Sequence, residues 1–533
     1  MKIKSFAGIL IVIIVIHGQR ELFGQNEDLK GIYFPKINYD CSEIPVYNNS
    51  KNRLPNPILE ENSEWIDMYW KCWEIAFQHF KKPSATSPFV SNIMDEAFNE
   101  NIFQWDMIFM VMFARYGHDV FPAVNSLDNF YCRQHITGYM CREISEIDGS
   151  DFVYEGRKNT INPPLFSWAE VESFKITGDM SRFEMVLPVL EQYVEWLNRD
   201  GDLLSANGKE WYNYGRRAAN SVHHLYWNTG LGSGMDNTPR GGNGWVDMSC
   251  QMVIQYTNLA MMSRILGQER KETYFINEAK KIADRINQYC WDENDGLYYD
   301  VDSAGNPVKW KTAGCFWPML AGIASKEQCT RLVSHLTDTA AFWRRNVFPT
   351  LAADQTMYNP KGEYWLGSVW SPTNYMIIKG LENNGYEELA TKSTYKYLTE
   401  MYCVFDRTQT VWENYSPEYC SPGSIAKPDF VGWTGIGPIA LLIENILGFR
   451  VNGFDQTLTW FITRTDDHGI ENLKVGNANV NALCTKRESE DDLLFLSVSS
   501  DKELKLIVHF NHGIKQFDLV PGEHQLTIDE TGY

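Results

Sequence analysis

The chain is predicted to be mainly α, an (α/α)6 toroid of six helical hairpins with a small C-terminal β-sandwich, and three observations carry that expectation. Apolar residues recur at helical spacing through most of residues 63–448. Links of about 10 to 50 residues alternate there with links of only a few. Beyond Gly448 the pattern changes to period-two alternation punctuated by turn residues. Up-and-down hairpins with that alternation put every long link at one end of the array, which makes that end the working face.

Each element follows from a local signal. Lys2 and Lys4 precede the apolar run Ala7 to Ile16, and polarity returns at His17, so residues 1–24 read as a secretory signal peptide. The run is shorter than the about 20 apolar residues that a spanning helix takes. The expected protein is therefore periplasmic or secreted, without membrane insertion once the signal is removed; an uncleaved anchor is the alternative. Residues 25–60, rich in Asn and Pro, read as an extended lead-in. The helical domain is expected over 61–449, with about twelve helices near 63–82, 104–115, 118–144, 165–177, 180–198, 246–267, 270–291, 312–321, 325–335, 368–383, 385–402 and 434–448. Trp65, Met68, Tyr69, Cys72, Ala76 and Phe80 make one apolar face at that spacing. The sandwich is expected over 450–533, with strands near 457–462, 493–499, 504–510 and 525–528.

Composition narrows the function. The 48 Lys and Arg against 68 Asp and Glu leave a net charge of −20, which argues against nucleic acid or an anionic membrane surface and for a small or neutral partner. The 18 Trp are numerous enough both to fill a core and to stack on sugar faces. Of the 11 scattered Cys, Cys403 and Cys420 bracket a Pro- and Tyr-rich segment and are the pair expected to be bridged, most others being buried thiols. With no CxxC and no His pair at ligand spacing, neither a metal nor a cofactor is expected. The run DVDSAGN over 300–306 is only weakly similar to a calcium loop, because oxygen-rich turns are common.

Two loop carboxylates stand out. The 199–245 link contains GSGMDNTPRGG, in which glycines let the backbone around Asp236 approach a ligand closely. The competing reading is that Asp236 only caps its own turn. The last long link carries VWENYSPEYCSPGSIAKPDFVGWTGIGP, where Glu413 sits between Trp412 and Asn414, an environment that can desolvate a general base; a plain surface acid is the alternative. Two carboxylates on separate loops of one face are what glycoside hydrolysis requires, one to protonate the leaving oxygen and one to activate water or attack. In DEAFNENIFQWDMIFM, Asp95, Glu96, Trp105 and Asp106 add acids and an indole, and Asp106 could equally serve the dipole of its helix. Asn162, Trp168, Trp310, Trp365 and Trp370 bring further polar and aromatic groups from other long links, each alone as consistent with packing as with ligand contact.

With these segments assembled, the chain resembles the (α/α)6 glycosidases of glycoside hydrolase family 63, which include processing α-glucosidase I and mannosylglycerate hydrolase-like enzymes, and more distantly the family 37 trehalases. The similarity runs over about residues 90–448 and rests on GMDNTPR, WENYSP and DFVGWTG, supported by QWDMIF, NPPLFSWA and GSVWSPTNY. The resemblance implies Asp236 as general acid and Glu413 as general base of an inverting mechanism. It also implies Trp105 and Asp106 at the subsite of the cleaved sugar, Trp370 and Trp433 as walls, and Arg240 as a support or substrate contact. Asn162 stands where the family commonly has Gln before the Pro-Pro pair, which shortens the reach of that amide. The expected activity is exo-acting hydrolysis of a terminal sugar from a di- or oligosaccharide. Trehalose hydrolysis, a non-catalytic glycan-binding role and polysaccharide lyase chemistry are the competing readings, the last disfavoured by the net charge of −20.

Overall fold

The computed structural model describes residues 29–528 apart from 40–42, 85, 97, 155–156, 159–160, 199–214, 217–224, 229–231, 243 and 512. The expected signal peptide, 1–24, and much of the 199–245 link lie outside the described residues.

Among the described residues, six helical segments are buried along most of their length: Gln104–Ala114, Phe166–Thr177, Val246–Ile265, Trp317–Leu320, Ser371–Asn383 and Gly437–Ile446. A helix that is apolar nearly all round has to be enclosed by other elements. Each of the six packs on the next in chain order, and the last returns to the first, closing a ring. Helices with a single apolar stripe lie outside it. In Glu269–Tyr289 the buried residues are Phe275, Ala279, Ile282 and Ile286, spaced by three and four, and the rest of the surface is mostly charged or polar apart from exposed Tyr274 and Ile276. Lys326–Leu336 begins with a capping box in which Ser325 Oγ accepts from the Gln328 amide at 3.2 Å and the Gln328 side chain accepts from the Ser325 amide at 2.7 Å.

The helix expected at 118–144 does not form. A tight turn, Ala123–Leu127, runs into one α turn, Asp128–Tyr131, and the chain then loops to a strand at Glu143–Ser145. Pro122 opens this segment without an amide donor. Gly138, at φ +93°, lies so close to Ser181–Asn198 that a Cβ would sit 2.3 Å from the Gln192 carbonyl oxygen. The strand pairs antiparallel with Asn101–Phe103, and the Gln104 amide donates to the Arg142 carbonyl at 2.8 Å. Arg142 thereby arrives at the start of Gln104–Ala114. The 312–321 helix is likewise divided, into a 3-10 turn, Ala313–Phe316, and Trp317–Leu320.

At the far ends of the ring helices, Arg115 binds Glu172 and, at 2.6 Å, Glu444, while Lys379 binds Glu444 at 2.6 Å. Burying these charges in one place is tolerable because each meets an opposite one. They border a cavity of about 440 Å³ whose walls include neither Asp236 nor Glu413.

The C-terminal β region forms two sheets. One orders Asn56–Leu59, His468–Val475, Ala478–Cys484, Leu494–Ser500 and Gly522–Ile528; the other Phe449–Asn452, Thr457–Phe461, Leu504–Phe510 and Gly513–Leu519. Part of the N-terminal lead-in is thus an edge strand, with Asn56 opposite Glu471. Trp460 joins the sheets to each other and to the ring: it lies 4.7 Å from Phe449 and 5.9 Å from His468, and its Nε1 donates to Leu447 O at 2.9 Å.

Cys403, on the Glu387–Thr408 helix, is bridged to Cys420 as expected, with the Cα atoms 5.8 Å apart; the other described cysteines are free and, except for half-buried Cys132, buried. The bridge ties the loop that carries Glu413 to a helix. Closing a sequence separation of 17 removes unfolded-state freedom equivalent to about 3 kcal/mol. Replacing both cysteines (Cys403→Ser with Cys420→Ser) is expected to lower the urea-unfolding free energy by about that amount; an unchanged midpoint would contradict it.

Candidate functional site

The loop around Asp236 is fixed on both sides. Ser233 Oγ accepts from the Met235 amide at 3.0 Å, and the Thr238 amide closes a turn onto Met235 O at 3.1 Å. Asn237 Oδ1 accepts from the Trp365 amide at 2.8 Å, its Nδ2 donates to Glu363 O at 3.3 Å, and Thr238 Oγ1 donates to Trp365 O at 3.3 Å. Gly234, at φ +74°, lies against the Trp105 indole, where a Cβ would come within 2.8 Å of the ring. Asp236 is half-buried, and its carboxyl is hydrogen-bonded by Tyr364. Its flanks supply the turn contacts, which leaves the carboxyl available for chemistry.

Glu413 comes from the opposite side on an extended segment. Val369 and Tyr415 exchange backbone hydrogen bonds of 2.8 and 3.0 Å, so this segment is paired with the one that leads into Trp370. The Glu413 amide donates to Lys427 O at 2.9 Å, the Lys427 amide donates to Glu413 Oε2 at 3.1 Å, and Trp433 Nε1 donates to Glu413 O at 3.0 Å. Only 5% of Glu413 is exposed.

Electrostatics tie the two acids to one site. Burial pushes the Glu413 carboxyl up to about 7; the amide and ammonium of Lys427 oppose the shift, and the Asp236 charge adds to it. Burial raises Asp236 to about 6, against Arg142 and the Tyr364 hydrogen bond. Asp106, in the first turn of Gln104–Ala114, is held well above the carboxylate range by burial and then by Glu413 and Asp236, with Arg142 opposing. Three carboxyls, one from a helix start and two from loops, therefore act on one another.

Aromatic rings stand behind the acids. Trp365 and Trp370 stack at 3.9 Å and 4°, Trp433 lies 5.4 Å from Trp370, and Trp370 Nε1 donates to Tyr364 O at 3.1 Å. Trp370 is fully buried, and the ring whose hydroxyl meets the acids is that of Tyr364. Asn162 is tied to the residue before Trp105, the Gln104 side chain donating through Nε2 to Asn162 O at 3.5 Å and to Pro163 O at 3.2 Å. Trp105 Nε1, Asp106 Oδ1, Asn162 Oδ1 and Trp365 Nε1 are buried without a hydrogen-bond partner in the protein, a pattern that a ligand rich in hydroxyls would satisfy.

Arg240 is turned to its own side of the loop, paired with Asp247 and, at 3.5 Å, with Asp300, and lying 4.5 Å over the Trp245 ring. It braces the loop to the start of Val246–Ile265. Trp310 is half-buried, with its backbone bonded to Val308 and Cys315. In the 300–306 run, Asp300 accepts from the Val246 amide at 2.9 Å and Asp302 caps its own turn at Ala304 and Asn306. Among the described residues no group of three or more His, Cys, Asp or Glu is placed to hold a metal ion.

Arg142, Tyr364 and Lys427 are site residues that the sequence reading did not single out. Arg142 fell inside the helix expected at 118–144, and Tyr364 adopts a left-handed φ of 57° two residues after the Asn-Pro-Lys-Gly turn of 359–362. For Lys427 the available signal was its place, fourteen residues after Glu413 in the same rigid, Pro-rich link.

Comparison with known proteins agrees with this chemistry. A family model described as "Mannosylglycerate hydrolase MGH1-like glycoside hydrolase domain" matches residues 101–424. An "Uncharacterized protein" of Borreliella burgdorferi is 26% identical over 469 residues, 85% of this chain and 90% of that one. The periplasmic trehalase of Salmonella paratyphi B is 23% identical over 198 residues, 36% of this chain and 33% of the trehalase. Among solved structures, the family 63 mannosylglycerate hydrolase from Thermus thermophilus in complex with glucose aligns with a TM-score of 0.54 at 16% identity, over 69% of this chain and 98% of that one.

The raised carboxyls have a measurable cost in stability. Glu413 titrates near 7 in the fold against 4.5 ordinarily, so the fold is unaffected by it at low pH and loses stability as pH climbs through that window. Glu413→Gln, which cannot ionise, is expected to match the parent at about pH 4 and to exceed it at about pH 8 by on the order of 2 kcal/mol in urea unfolding. Equal stability at both pH values would remove the buried charge from the account.

Proposed function

Because the chain belongs to the mannosylglycerate hydrolase MGH1-like glycoside hydrolases of family 63 and is a glycoside hydrolase, we propose that it is an exported, exo-acting, inverting α-glycosidase of glucosidase type. Its helical ring, read as an (α/α)6 toroid over 61–449 followed by a β-sandwich over 450–533, carries a pocket for one terminal sugar of a di- or oligosaccharide. The basic and then apolar N-terminus supports export. The closure of six buried helices on one another supports the toroid.

Asp236 is the general acid in this reading and Glu413 the general base. Asp236 delivers its proton to the glycosidic oxygen as that bond breaks. Glu413 takes a proton from a water that attacks the anomeric carbon from the opposite face, so one proton enters and one leaves in a single displacement. Asp106 accepts from hydroxyls of the cleaved sugar, Trp105 covers its apolar face, and Tyr364 orients the acid. The observation that carries the reading is that the Asp236 charge reaches Glu413, while burial pushes the two carboxyls to about 6 and about 7. Both acids titrate near neutrality, and a leaving-group oxygen beside Asp236 and a water beside Glu413 favour the arrangement with the proton on Asp236. A trehalase-type hydrolase is the second reading, favoured by the stretch of similarity to a periplasmic trehalase.

Asp236→Asn and Glu413→Gln are each expected to lower kcat on the best α-linked disaccharide by about 1,000-fold while circular dichroism stays that of the parent. In the parent, activity follows a bell in pH that peaks between the two values of about 6 and about 7. Below them both acids hold protons and no base is present; above them neither does and no acid is present. Full activity in either variant, or a rate that is flat across that window, would overturn the assignment.

A further inference from the structure

Arg240 follows Asp236 by four residues and takes no part in the reaction above. One nitrogen of its guanidinium binds Asp247, another meets Asp300 at 3.5 Å, and the group lies 4.5 Å over the Trp245 ring. Both carboxylates are fixed at the start of Val246–Ile265. Asp300 Oδ1 accepts from the Val246 amide at 2.9 Å, and Asp247 Oδ1 accepts from the Met248 amide at 2.7 Å. The side chains of Arg240 and Asp247 are 11% and 3% exposed. Removing the cation from such a cluster would strand two carboxylates away from water, so the pairing is held firmly.

Little slack separates this anchor from Asp236. The Thr238 amide closes its turn onto Met235 O at 3.1 Å, and Pro239, whose ring fixes φ, leads directly into Arg240. Beyond Arg240 the backbone is pressed against the Asp300–Val301 strand. A Cβ on Gly242, at φ +75°, would stand 1.9 Å from Val301 O, and Gly244 exchanges backbone hydrogen bonds of 3.2 and 2.8 Å with Val301. On the other side of Asp236, buried Met235 reaches the same place: a Cβ on Gly314 would stand 3.4 Å from Met235 Cε and 3.5 Å from Asp247 Oδ2. The chain on both sides of Asp236 thus converges on Asp247.

We propose that Arg240 is a positioning residue that, through Asp247 and Asp300, seats the Asp236 loop on the ring and aims the Asp236 carboxyl at the glycosidic oxygen. The glycosidic oxygen in that statement rests on the glycosidase reading; the seating of the loop does not. The step served is the transfer of the Asp236 proton to the leaving oxygen as its bond to the anomeric carbon breaks. A donor misplaced by about 1 Å loses on the order of 100-fold in such a step. A leaving group that departs as a stable anion needs no proton, so the loss is confined to basic leaving groups. That selectivity distinguishes Arg240 from a residue that only holds the fold together and from one that grips the cleaved sugar.

Two measurements separate this inference from the function it serves. Arg240→Ala is expected to speed amide hydrogen exchange across residues 232–241 about tenfold or more, and an unchanged rate there would overturn the inference. That arm does not depend on turnover: a parent that cleaved no α-glycoside would sink the proposed function while exchange still decided whether Arg240 seats the loop. On an α-linked disaccharide Arg240→Ala is expected to lower kcat about 100-fold, and on the nitrophenyl α-glycoside of the same sugar by less than about fivefold. Equal losses on the two substrates would overturn the inference. Asp247→Ala is expected to reproduce the selective loss, and the double variant to lose no more than the worse single one. Additive losses would make Arg240 a direct contact of the leaving sugar and would equally overturn it. Arg240→Lys, which keeps a charge for only one of the two aspartates, is expected to lose about tenfold on the disaccharide alone, and it carries the same comparison should Arg240→Ala fail to fold.

Discussion

The molecule is organised around an unfavourable act, the gathering of several carboxyl groups in a space from which water is largely excluded. Asp106 arrives on the first turn of a ring helix and Asp236 and Glu413 on separate loops, and burial disfavours the charged form of each. Isolated, such groups would protonate or turn outward. They stay because each is framed: Arg142 opposes the charge of Asp106 and Asp236, the Lys427 amide and ammonium attend Glu413, and Tyr364 bonds Asp236. The outcome is two acids that titrate near neutrality, where one can hold a proton while the other lacks it.

Holding that arrangement needs a rigid frame, and the frame is distributed. The closed ring of buried helices supplies fixed starting points, with Trp105 and Asp106 in the first turn of one and Trp370 at the N-terminus of another. The loops are then bound to one another and not only to the ring. Asn237 clamps the Asp236 loop to residues 363–365, and the Val369–Tyr415 pairing joins that region to the Glu413 segment. The Cys403–Cys420 bridge anchors the Glu413 loop to an outer helix. A movement of any one loop would be felt at both acids.

Much of this was legible in the residues. The long helices were legible because packing onto a ring imposes a three-to-four periodicity, and the start of Gln104–Ala114 falls where it was expected. Residues 118–144 misled because their apolar spacing imitates a helix, whereas Pro122 and the close approach at Gly138 break it. Strand His468–Val475 was missed because Gly469 and the irregularity between Ile470 and Leu473 break its alternation, and Ala478–Cys484 because its inward residues are mostly small and Asn is uncommon in strands. The acids Asp236 and Glu413 could be named from their unusual loop settings. Arg142 and Tyr364 could not, since one arrives through a two-strand pairing and the other through a left-handed backbone at a bulky residue, which the Pro-Gly turn before it does not assign to that position. Arg240 reads in sequence as a neighbour of the acid, yet its ion pairs with Asp247 and Asp300 make it a brace.

The central claim is that Asp236 and Glu413 face one another with space between them for an attacking water. For a single displacement the carboxyl groups stand roughly 6.5–9.5 Å apart, and for a covalent intermediate about 5 Å. Proton NMR of the first sugar released from an α-linked substrate, recorded before mutarotation, reads this out directly. The account requires the β anomer. Accumulation of the α anomer would mean that Glu413 attacks carbon itself, and the water-activating geometry would be wrong.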